Sequence, residues 1–162
     1  MHHAEITNSK FVNNVGLAGG AIKVLDVGRV LLSNNMFVGN KAMDVTKKKV
    51  QMPADEHTYR GGAIFIDCSL ASVVELGYEQ QCDIAFSNGN NFTSNFAMVQ
   101  GGAISYISVG FTDADGSTIY LNNTAGYHSD TVASYTKYFD VQTDDKSIFL
   151  GTITEALERS SS

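Results

Sequence analysis

The sequence lacks features that two large classes of protein require. No stretch approaches the roughly 20 consecutive apolar residues of a membrane-spanning helix, and the first residues lack the apolar segment of a signal peptide. It also lacks a basic stripe, since the net charge is −6 and the run Lys47–Lys49 is a solvated loop in our interpretation. These absences argue against a direct membrane span and against nucleic acid as a partner.

Helix-favouring features are equally scarce. No 3.6-residue period of adequate length occurs, tryptophan is absent, and Pro53 is the only proline. In contrast, there are 15 glycines and twelve asparagines, residues that are unfavourable in helix interiors and favoured at turns. The composition therefore argues against a helical or leucine-rich solenoid and predicts a single all-β domain with repeated tight corners.

Two short motifs alternate along the chain. Gly-Gly-Ala-Ile occurs at 19–22, 61–64 and 101–104, and Phe-x-x-Asn occurs at 11–14, 37–40 and 92–95, with Tyr120–Asn123 as a degenerate fourth copy. The shortest intervals between the motifs are 8 or 9 and 18 or 19 positions. The spacing predicts a repeat of about 26–28 residues.

The middle of the chain is longer than this repeat allows. We interpret the surplus as two loop insertions, near 41–58 and 69–81. Cys68 and Cys82 bracket the second insertion and are interpreted as a disulfide at its base, with two unrelated thiols as the alternative. Closing a loop of that size stabilises a fold by about 3 kcal/mol, and such a bond indicates an oxidising compartment.

The repeat predicts a right-handed parallel β-helix of about four coils over residues 1–135. After each Gly-Gly pair the side chains alternate, and a second strand precedes each Phe-x-x-Asn motif, at 30–32, 84–86 and 118–119. Two or three strands per coil would close at fixed corners. The tail, 136–162, has an uncertain fold; it includes a weakly helical segment at 153–159 and is a candidate cap.

Stacked coils must turn at the same place, so that corner and core residues form columns. Glycine supplies positive φ and close backbone approach, and asparagine tolerates left-handed backbone and can bond the identical amide one coil above. The expected corner residues are Gly19, Gly20, Gly61, Gly62, Gly101, Gly102, Asn14, Asn40, Asn95 and Asn123. The expected core stack is Ile22, Ile64, Ile104, Phe11, Phe37 and Phe92.

The two motifs together resemble the signature of the chlamydial polymorphic outer membrane proteins, which are adhesins and autotransporters. They are more closely similar to large repeat-rich surface proteins of ciliate protists, through GGAIFIDCS at 61–69, FTSNFAMVQGGAISY at 92–106 and NNTAGYHSDTVASY at 122–135. The resemblance covers about residues 5–135 and departs at His128, where glycine is expected. It implies an extracellular or surface-exposed stalk or scaffold.

Two kinds of modification or ligand site can be considered. Asn91 and Asn122 each begin an N-glycosylation sequon, and Asn122 is the better candidate because it lies near an end of the repeats. Asp113 and Asp115 resemble the first half of a calcium loop. Thr124 stands where such a loop needs its last carboxylate, which favours a surface turn; we expect no metal and no cofactor beyond an N-linked glycan.

A catalytic site is not evident. Polysaccharide lyases and hydrolases of this fold need stacked outward carboxylates, whereas the matching outward positions are expected to hold Lys23, Phe65 and Ser105. Asp67 and Asp83 could lie near one another, but no base accompanies them. The four histidines, His2, His3, His57 and His128, lack metal-ligand spacing.

The sequence therefore predicts a non-enzymatic structural or adhesive module of a secreted or cell-surface protein. It would act as a stalk, scaffold or assembly unit. The abrupt start at the first repeat suggests a piece of a longer protein. Further β-helix coils, of the same or another chain, are the expected partners, within a larger extracellular assembly or filament. The alternative is a carbohydrate-binding or carbohydrate-active β-helix.

Overall fold

The chain passes through four successive layers, each built from four short strands. The structure is a computed structural model that describes residues 3–25, 28–46, 58–67, 82–107, 109–113, 116–135, 139–143 and 146–150. Layer 1 contains β1 (His3–Thr7), β2 (Lys10–Val12), β3 (Val15–Gly16) and β4 (Ile22–Leu25). Layer 2 contains β5 (Arg29–Ser33), β6 (Met36–Val38), β7 (Lys41–Ala42) and β8 (Ile64–Asp67). Layer 3 contains β9 (Cys82–Ser87), β10 (Asn91–Thr93), β11 (Phe96–Ala97) and β12 (Ile104–Ile107), and layer 4 contains β13 (Val109–Asp113), β14 (Ile119–Leu121), β15 (Thr124–Ala125) and β16 (Val132–Tyr135).

Each layer contributes one strand to each of four parallel sheets. The sheets have the orders β1-β5-β9-β13, β2-β6-β10-β14, β3-β7-β11-β15 and β4-β8-β12-β16. Every described pairing within them is parallel. The described residues contain no helix. The expectation of an all-β protein with parallel sheets is thus confirmed.

The strands are short because turn residues interrupt them at regular places. Between the first and second sheets the backbone of Asn8, Asn34 and Asn88 adopts the left-handed conformation, with φ of 52°, 53° and 53°. Asparagine tolerates this conformation better than most residues. The same residue type thus begins this turn in three layers, and in layer 3 the turn is one residue longer and includes Gly89, with φ of 71°.

The core lies between three of the sheets. It takes apolar side chains from the first, second and fourth sheets, and its buried members are Val24, Val30, Leu32, Phe37, Ala63, Ile64, Ile66, Ile84, Phe86, Phe92, Ala103 and Ile104. Alternation along the strands places these residues on one face. The third sheet contributes two small buried residues, Ala42 and Ala97.

The structure differs from expectation in the number of strands. Two or three per repeat were expected, and four are present, because β3 and its counterparts are only two residues long and carry no visible alternation. Lys41 and Ala42, expected in the first insertion, form β7 and pair with β3 and β11. Met43 N–H still donates to the Gly16 carbonyl, so the insertion begins after this residue.

The strand that precedes the Tyr120 copy was also expected in the wrong place. Ile119 belongs to β14 and pairs with Asn91. The true counterpart of the strand at 84–86 is β13, in which Phe111 pairs with Ile84. The layer-4 segment between β13 and β14 is longer than the corresponding segments of layers 1–3, which displaced the expected strand.

The tail forms a separate pair of strands. β17 (Phe139–Thr143) and β18 (Lys146–Leu150) pair antiparallel and make a two-stranded sheet of their own. The weakly helical segment expected at 153–159 lies outside the described residues.

The second glycine of each Gly-Gly pair faces the next layer at close range. A Cβ on Gly62 would lie 1.9 Å from the Gly102 carbonyl oxygen and 2.7 Å from the Phe96 backbone nitrogen. Both atoms belong to layer 3, and real Cβ atoms do not approach backbone this closely. A side chain at position 62 therefore requires layers 2 and 3 to separate.

We expect Gly62→Ala to lower the free energy of unfolding by about 3 kcal/mol, because overpacking against backbone cannot relax through a rotamer change. Urea denaturation of the purified chain measures the loss. Gly116→Ala is the control: Gly116 has φ of +60° but no atom within 4 Å of an added Cβ, so that only the backbone penalty of about 1–2 kcal/mol applies. Equal losses in the two variants would contradict the packing explanation.

Candidate functional site

An aromatic column runs through all four layers. Phe11, Phe37, Phe92 and Tyr120 pair in register in the second sheet. Successive ring centroids are 4.9, 4.7 and 5.4 Å apart, with interplanar angles of 4°, 5° and 14°. Stacking of this kind contributes about 0.5–1.5 kcal/mol per pair beyond burial. The two central rings are fully buried, whereas the rings of Phe11 and Tyr120 at the two ends of the column are partly buried.

A ladder of asparagine amides runs beside the aromatic column. The four members are Asn14, Asn40, Asn95 and Asn123, one from each layer. In each of the three steps the backbone N–H and Nδ2 of one asparagine both donate to Oδ1 of the next, over 2.9–3.1 Å. The Nδ2 groups of the last three also donate to the carbonyls of Phe11, Phe37 and Phe92, at 3.0, 3.0 and 2.9 Å.

The inner rungs of this ladder use every polar atom of the amide. Asn40 and Asn95 are completely buried, and their Oδ1 accepts two hydrogen bonds while their Nδ2 donates two. Burial of an amide without partners costs about 1–3 kcal/mol, so that any slip in register would leave several groups unsatisfied. The ladder therefore specifies which layer positions face each other.

A second asparagine ladder was missed from the sequence. Asn35 N–H and Nδ2 both donate to Asn90 Oδ1, at 3.1 Å, and Ser9 N–H donates to Asn35 Oδ1 at 2.9 Å. Nδ2 of Asn35 and of Asn90 also donates to a carbonyl of the preceding layer. Its signal was present, since Asn35 and Asn90 stand two residues before Phe37 and Phe92, which extends the motif to Asn-x-Phe-x-x-Asn.

The corner column continues into layer 4 with different residues. Ile22, Ile64, Ile104 and Val132 pair in register in the fourth sheet. The layer-4 counterpart of Gly-Gly-Ala-Ile is therefore Ser129–Val132. Positive φ recurs at its first position in every layer, at 62°, 66°, 66° and 57° for Gly19, Gly61, Gly101 and Ser129. Glycine was expected at position 128, where the sequence has His128. In the structure His128 pairs with Gln100, so it lies one position before the corner.

The outward face of the fourth sheet is partly covered, which corrects an expectation. Phe65 and Ser105 were expected to face outward with Lys23, but both have 0% exposure. Phe65 packs with Ala18 and Ile107, and Gln100 Nε2 donates to Ser105 Oγ at 3.2 Å. Lys23 remains exposed, with Nζ 5.9 Å from the centroid of the Phe65 ring.

The two carboxylates considered for catalysis lie in different sheets. Asp67 is buried in β8 of the fourth sheet, whereas Asp83 is half-buried in β9 of the first sheet. Asp83 Oδ2 lies 3.7 Å from Arg29 Nε, and both side chains are substantially exposed. An ion pair of this kind contributes about 0–1 kcal/mol.

The sequons lie in different environments. Asn122 is exposed, with φ of 53°, at the turn after β14. Asn91 is half-buried in β10, between β6 and β14, and its Oδ1 accepts from Thr93 Oγ1 at 2.6 Å. The structure therefore favours Asn122 as the accessible acceptor.

The remaining candidate residues fall largely outside the described part of the chain. Cys68 and Asp115 lie outside the described residues, and of Cys82 and Asp113 only the backbone is described. His2 and His57 also lie outside them. Within the described residues, no group of three or more His, Cys, Asp or Glu side chains could hold a metal ion.

Comparison with known proteins finds no matching family model, no matching curated protein and no matching solved structure. Across the residues that the structure describes, no helix is both long and apolar enough to cross a membrane.

The surface that remains to be described is that of the outermost described layers. Layers 1 and 4 present the two ends of the sheets, the aromatic column and the Asn14 ladder. Large apolar side chains are exposed on both layers: Val12, Val15, Leu17 and Leu25 on layer 1, and Ile119, Leu121 and Tyr127 on layer 4. These side chains lie beside the outermost described strands of the stack.

We expect Asn95→Asp to destabilise the protein by about 3–5 kcal/mol at pH 7, since the carboxylate would be buried against the Phe37 carbonyl and Asn123 Oδ1. Burial raises the pKa of the introduced carboxyl above its unfolded value of about 3.9. The penalty relative to wild type is therefore complete above the folded-state pKa and shrinks by about 1 kcal/mol or more as the pH falls towards 4.

Denaturant titrations of both proteins at pH 7 and pH 4 measure this difference. Asn122→Asp is the matched control, because Asn122 is exposed and the change should stay within about 0.5 kcal/mol at both pH values. A pH-independent loss at position 95 would argue against the bonded ladder.

Proposed function

We propose that this chain is a non-enzymatic structural or adhesive module of a secreted or cell-surface protein. It serves as a stalk, scaffold or assembly unit built as a right-handed parallel β-helix. The observation that carries the proposal is the asparagine ladder of Asn14, Asn40, Asn95 and Asn123. It uses the most regularly placed polar groups of the chain to hold layers together, which is the task of a stack rather than of a reaction centre.

The β-helix is supported by the order in which the chain visits the sheets. Every layer passes through the first, second, third and fourth sheet in that order and then returns to the first, one strand further along. Successive strands of one sheet are thus joined by crossover connections between parallel strands. Such connections are right-handed in about 98% of cases, which is the basis for the proposed handedness.

A role in assembly is supported by the ends of the stack. Val12, Val15 and Leu17 of layer 1 are 39%, 50% and 57% exposed, beside strands that have a partner on one side only among the described strands. Unpaired strand edges with apolar side chains favour addition of further strands. The partners that we propose are further layers of this kind, from the same or another chain, within a larger extracellular assembly.

The extracellular location rests on the sequence. The alternating Gly-Gly-Ala-Ile and Phe-x-x-Asn motifs resemble those of surface proteins, and Cys68 and Cys82 bracket an insertion as a structural disulfide would. The exposed Asn122 sequon is consistent with passage through a secretory pathway.

The alternative is a carbohydrate-binding or carbohydrate-active β-helix, and one pair of assays separates it from the proposal. We expect no saturable binding on a glycan array and no cleavage of acidic polysaccharides, because Asp67 is buried and Asp83 lies in another sheet. An active polysaccharide lyase serves as the positive control. Cleavage that is lost on Asp83→Asn would overturn the non-enzymatic proposal.

Expression in eukaryotic secretory cells tests the compartment and the sequons together. We expect a single N-glycan, on Asn122, and mass spectrometry of the intact protein should show its loss in Asn122→Gln and its retention in Asn91→Gln. The physical reason is the exposure of Asn122 and the bonded, half-buried position of Asn91 between two strands. A glycan on Asn91 alone would contradict the assignment.

A further inference from the structure

The second corner glycine has a direct relation to the layer above it. A Cβ on Gly20 would lie 2.2 Å from the carbonyl oxygen of Gly62, and one on Gly62 would lie 1.9 Å from that of Gly102. A Cβ on Gly102 would lie 2.1 Å from the carbonyl oxygen of Asp130. In each case the obstructing atom belongs to the next layer towards the C-terminal end. Glycine is therefore required at this corner wherever a next layer is stacked.

Layer 4 breaks this rule. Val132 pairs with Ile104, so Asp130 occupies the position of Gly102. Its Cβ lies where the corner carbonyl of a fifth layer would have to pass. A fifth layer at the same spacing would meet the same obstruction that excludes a side chain from Gly20, Gly62 and Gly102.

The carboxylate of Asp130 also occupies the strand edge that a fifth layer would use. Thr124 N–H donates to the Asn95 carbonyl and Gly126 N–H to the Ala97 carbonyl, both in layer 3. Since alternate N–H groups of a strand point to opposite sides, Ala125 N–H points away from layer 3. Asp130 Oδ1 accepts this N–H at 2.8 Å, in the place of an acceptor from a next layer.

We propose that Asp130 terminates the stack, so that a further layer adds only at the edge formed by layer 1. This inference rests on the proposed function, since it assigns a polarity to the assembly proposed above. Two independent features of one residue carry it: a Cβ in the space of the next corner, and a carboxylate bonded to the outward N–H of β15.

The opposite edge, formed by layer 1, can still accept a further layer. Asn14 is exposed, and among the described residues no donor reaches its Oδ1, whereas Oδ1 of Asn40, Asn95 and Asn123 each accept two hydrogen bonds from the layer before. The occupant that fits is a parallel layer with asparagine at the ladder position. It must also carry glycine at the second corner position, where it would meet the backbone of layer 1.

A second copy of this chain fails the glycine requirement. Its layer 4 would present Asp130 to layer 1 of the first copy, so that head-to-tail growth is blocked. Only the layer-1 edges of two copies remain, and these can meet only with their strands antiparallel. Self-association of the wild-type chain is therefore limited to two copies.

The test compares wild type, Asp130→Gly and Asp130→Asn by light scattering over a range of concentrations. Asp130→Gly removes both the Cβ and the acceptor, and we expect its mass to rise beyond that of two chains as the concentration increases. Asp130→Asn keeps the Cβ and an acceptor oxygen and should stay, like wild type, at or below two chains.

The register of the new contact can be read independently. Head-to-tail stacking would place Leu121 of one copy beside Val12 of the next, because Leu121 pairs with Thr93 and Val12 with Val38 within one chain. Asp130→Gly chains that also carry Val12→Cys or Leu121→Cys are mixed and oxidised. Mass spectrometry should then identify a cross-linked peptide joining positions 12 and 121.

A second variant covers the case in which Asp130→Gly does not fold. Ser129→Gly, Asp130→Gly, Thr131→Ala and Val132→Ile together restore the Gly-Gly-Ala-Ile corner that the other three layers use, and this variant should also grow beyond two chains. Growth of wild type or of Asp130→Asn beyond two chains would overturn the proposal. The proposal would also be overturned if Asp130→Gly and the four-substitution variant fold but stay at the wild-type mass. Polysaccharide cleavage would count against the proposed function and would leave the mass comparison to decide the polarity separately.

Discussion

Parallel strands in neighbouring layers lie at one spacing, about 4.8 Å, and the rest of the structure depends on that spacing. It brings side chains of equivalent positions into contact through four layers, so that each position has its own column. The result depends on the residue type in the column. The rings of Phe37 and Phe92 stack, and the amides of Asn40 and Asn95 form hydrogen bonds. At the second glycine of the corner, a side chain is excluded wherever a next layer is stacked.

The columns also explain how the insertions are tolerated. Phe11 pairs with Phe37, 26 positions on, and Phe37 pairs with Phe92, 55 positions on. The register of the two pairings is the same, because the insertions fall between strands: the first between β7 and β8, the second between β8 and β9. Loop length affects stability only weakly, whereas a slip of one residue would turn every core side chain outward.

Much of the architecture could be predicted from the sequence because the columns leave a local trace. Repetition of Gly-Gly-Ala-Ile and Phe-x-x-Asn predicts parallel stacking, and the structure places Phe11, Phe37, Phe92 and Ile22, Ile64, Ile104 in in-register columns. The two-residue strands of the third sheet left no such trace, since a period of two cannot be seen in two residues. The second amide ladder did leave a trace in the sequence, but the neighbouring asparagines Asn34 and Asn91 made the recurring position hard to recognise.

What the sequence by itself determined is the recurrence: which residue types return, at which spacing, and hence which positions fall into one column. The tertiary structure alone decided what lies against each column. Phe65 alternates as an outward residue but is buried, because Ala18 and Ile107 pack over it. Ser129–Val132 is recognised as a corner only from the pairing of Val132 with Ile104. Whether the Asp130 side chain obstructs anything depends on whether a layer stacks beyond it. Recurrence is a property of the chain, whereas burial and obstruction depend on atoms that other segments bring into contact.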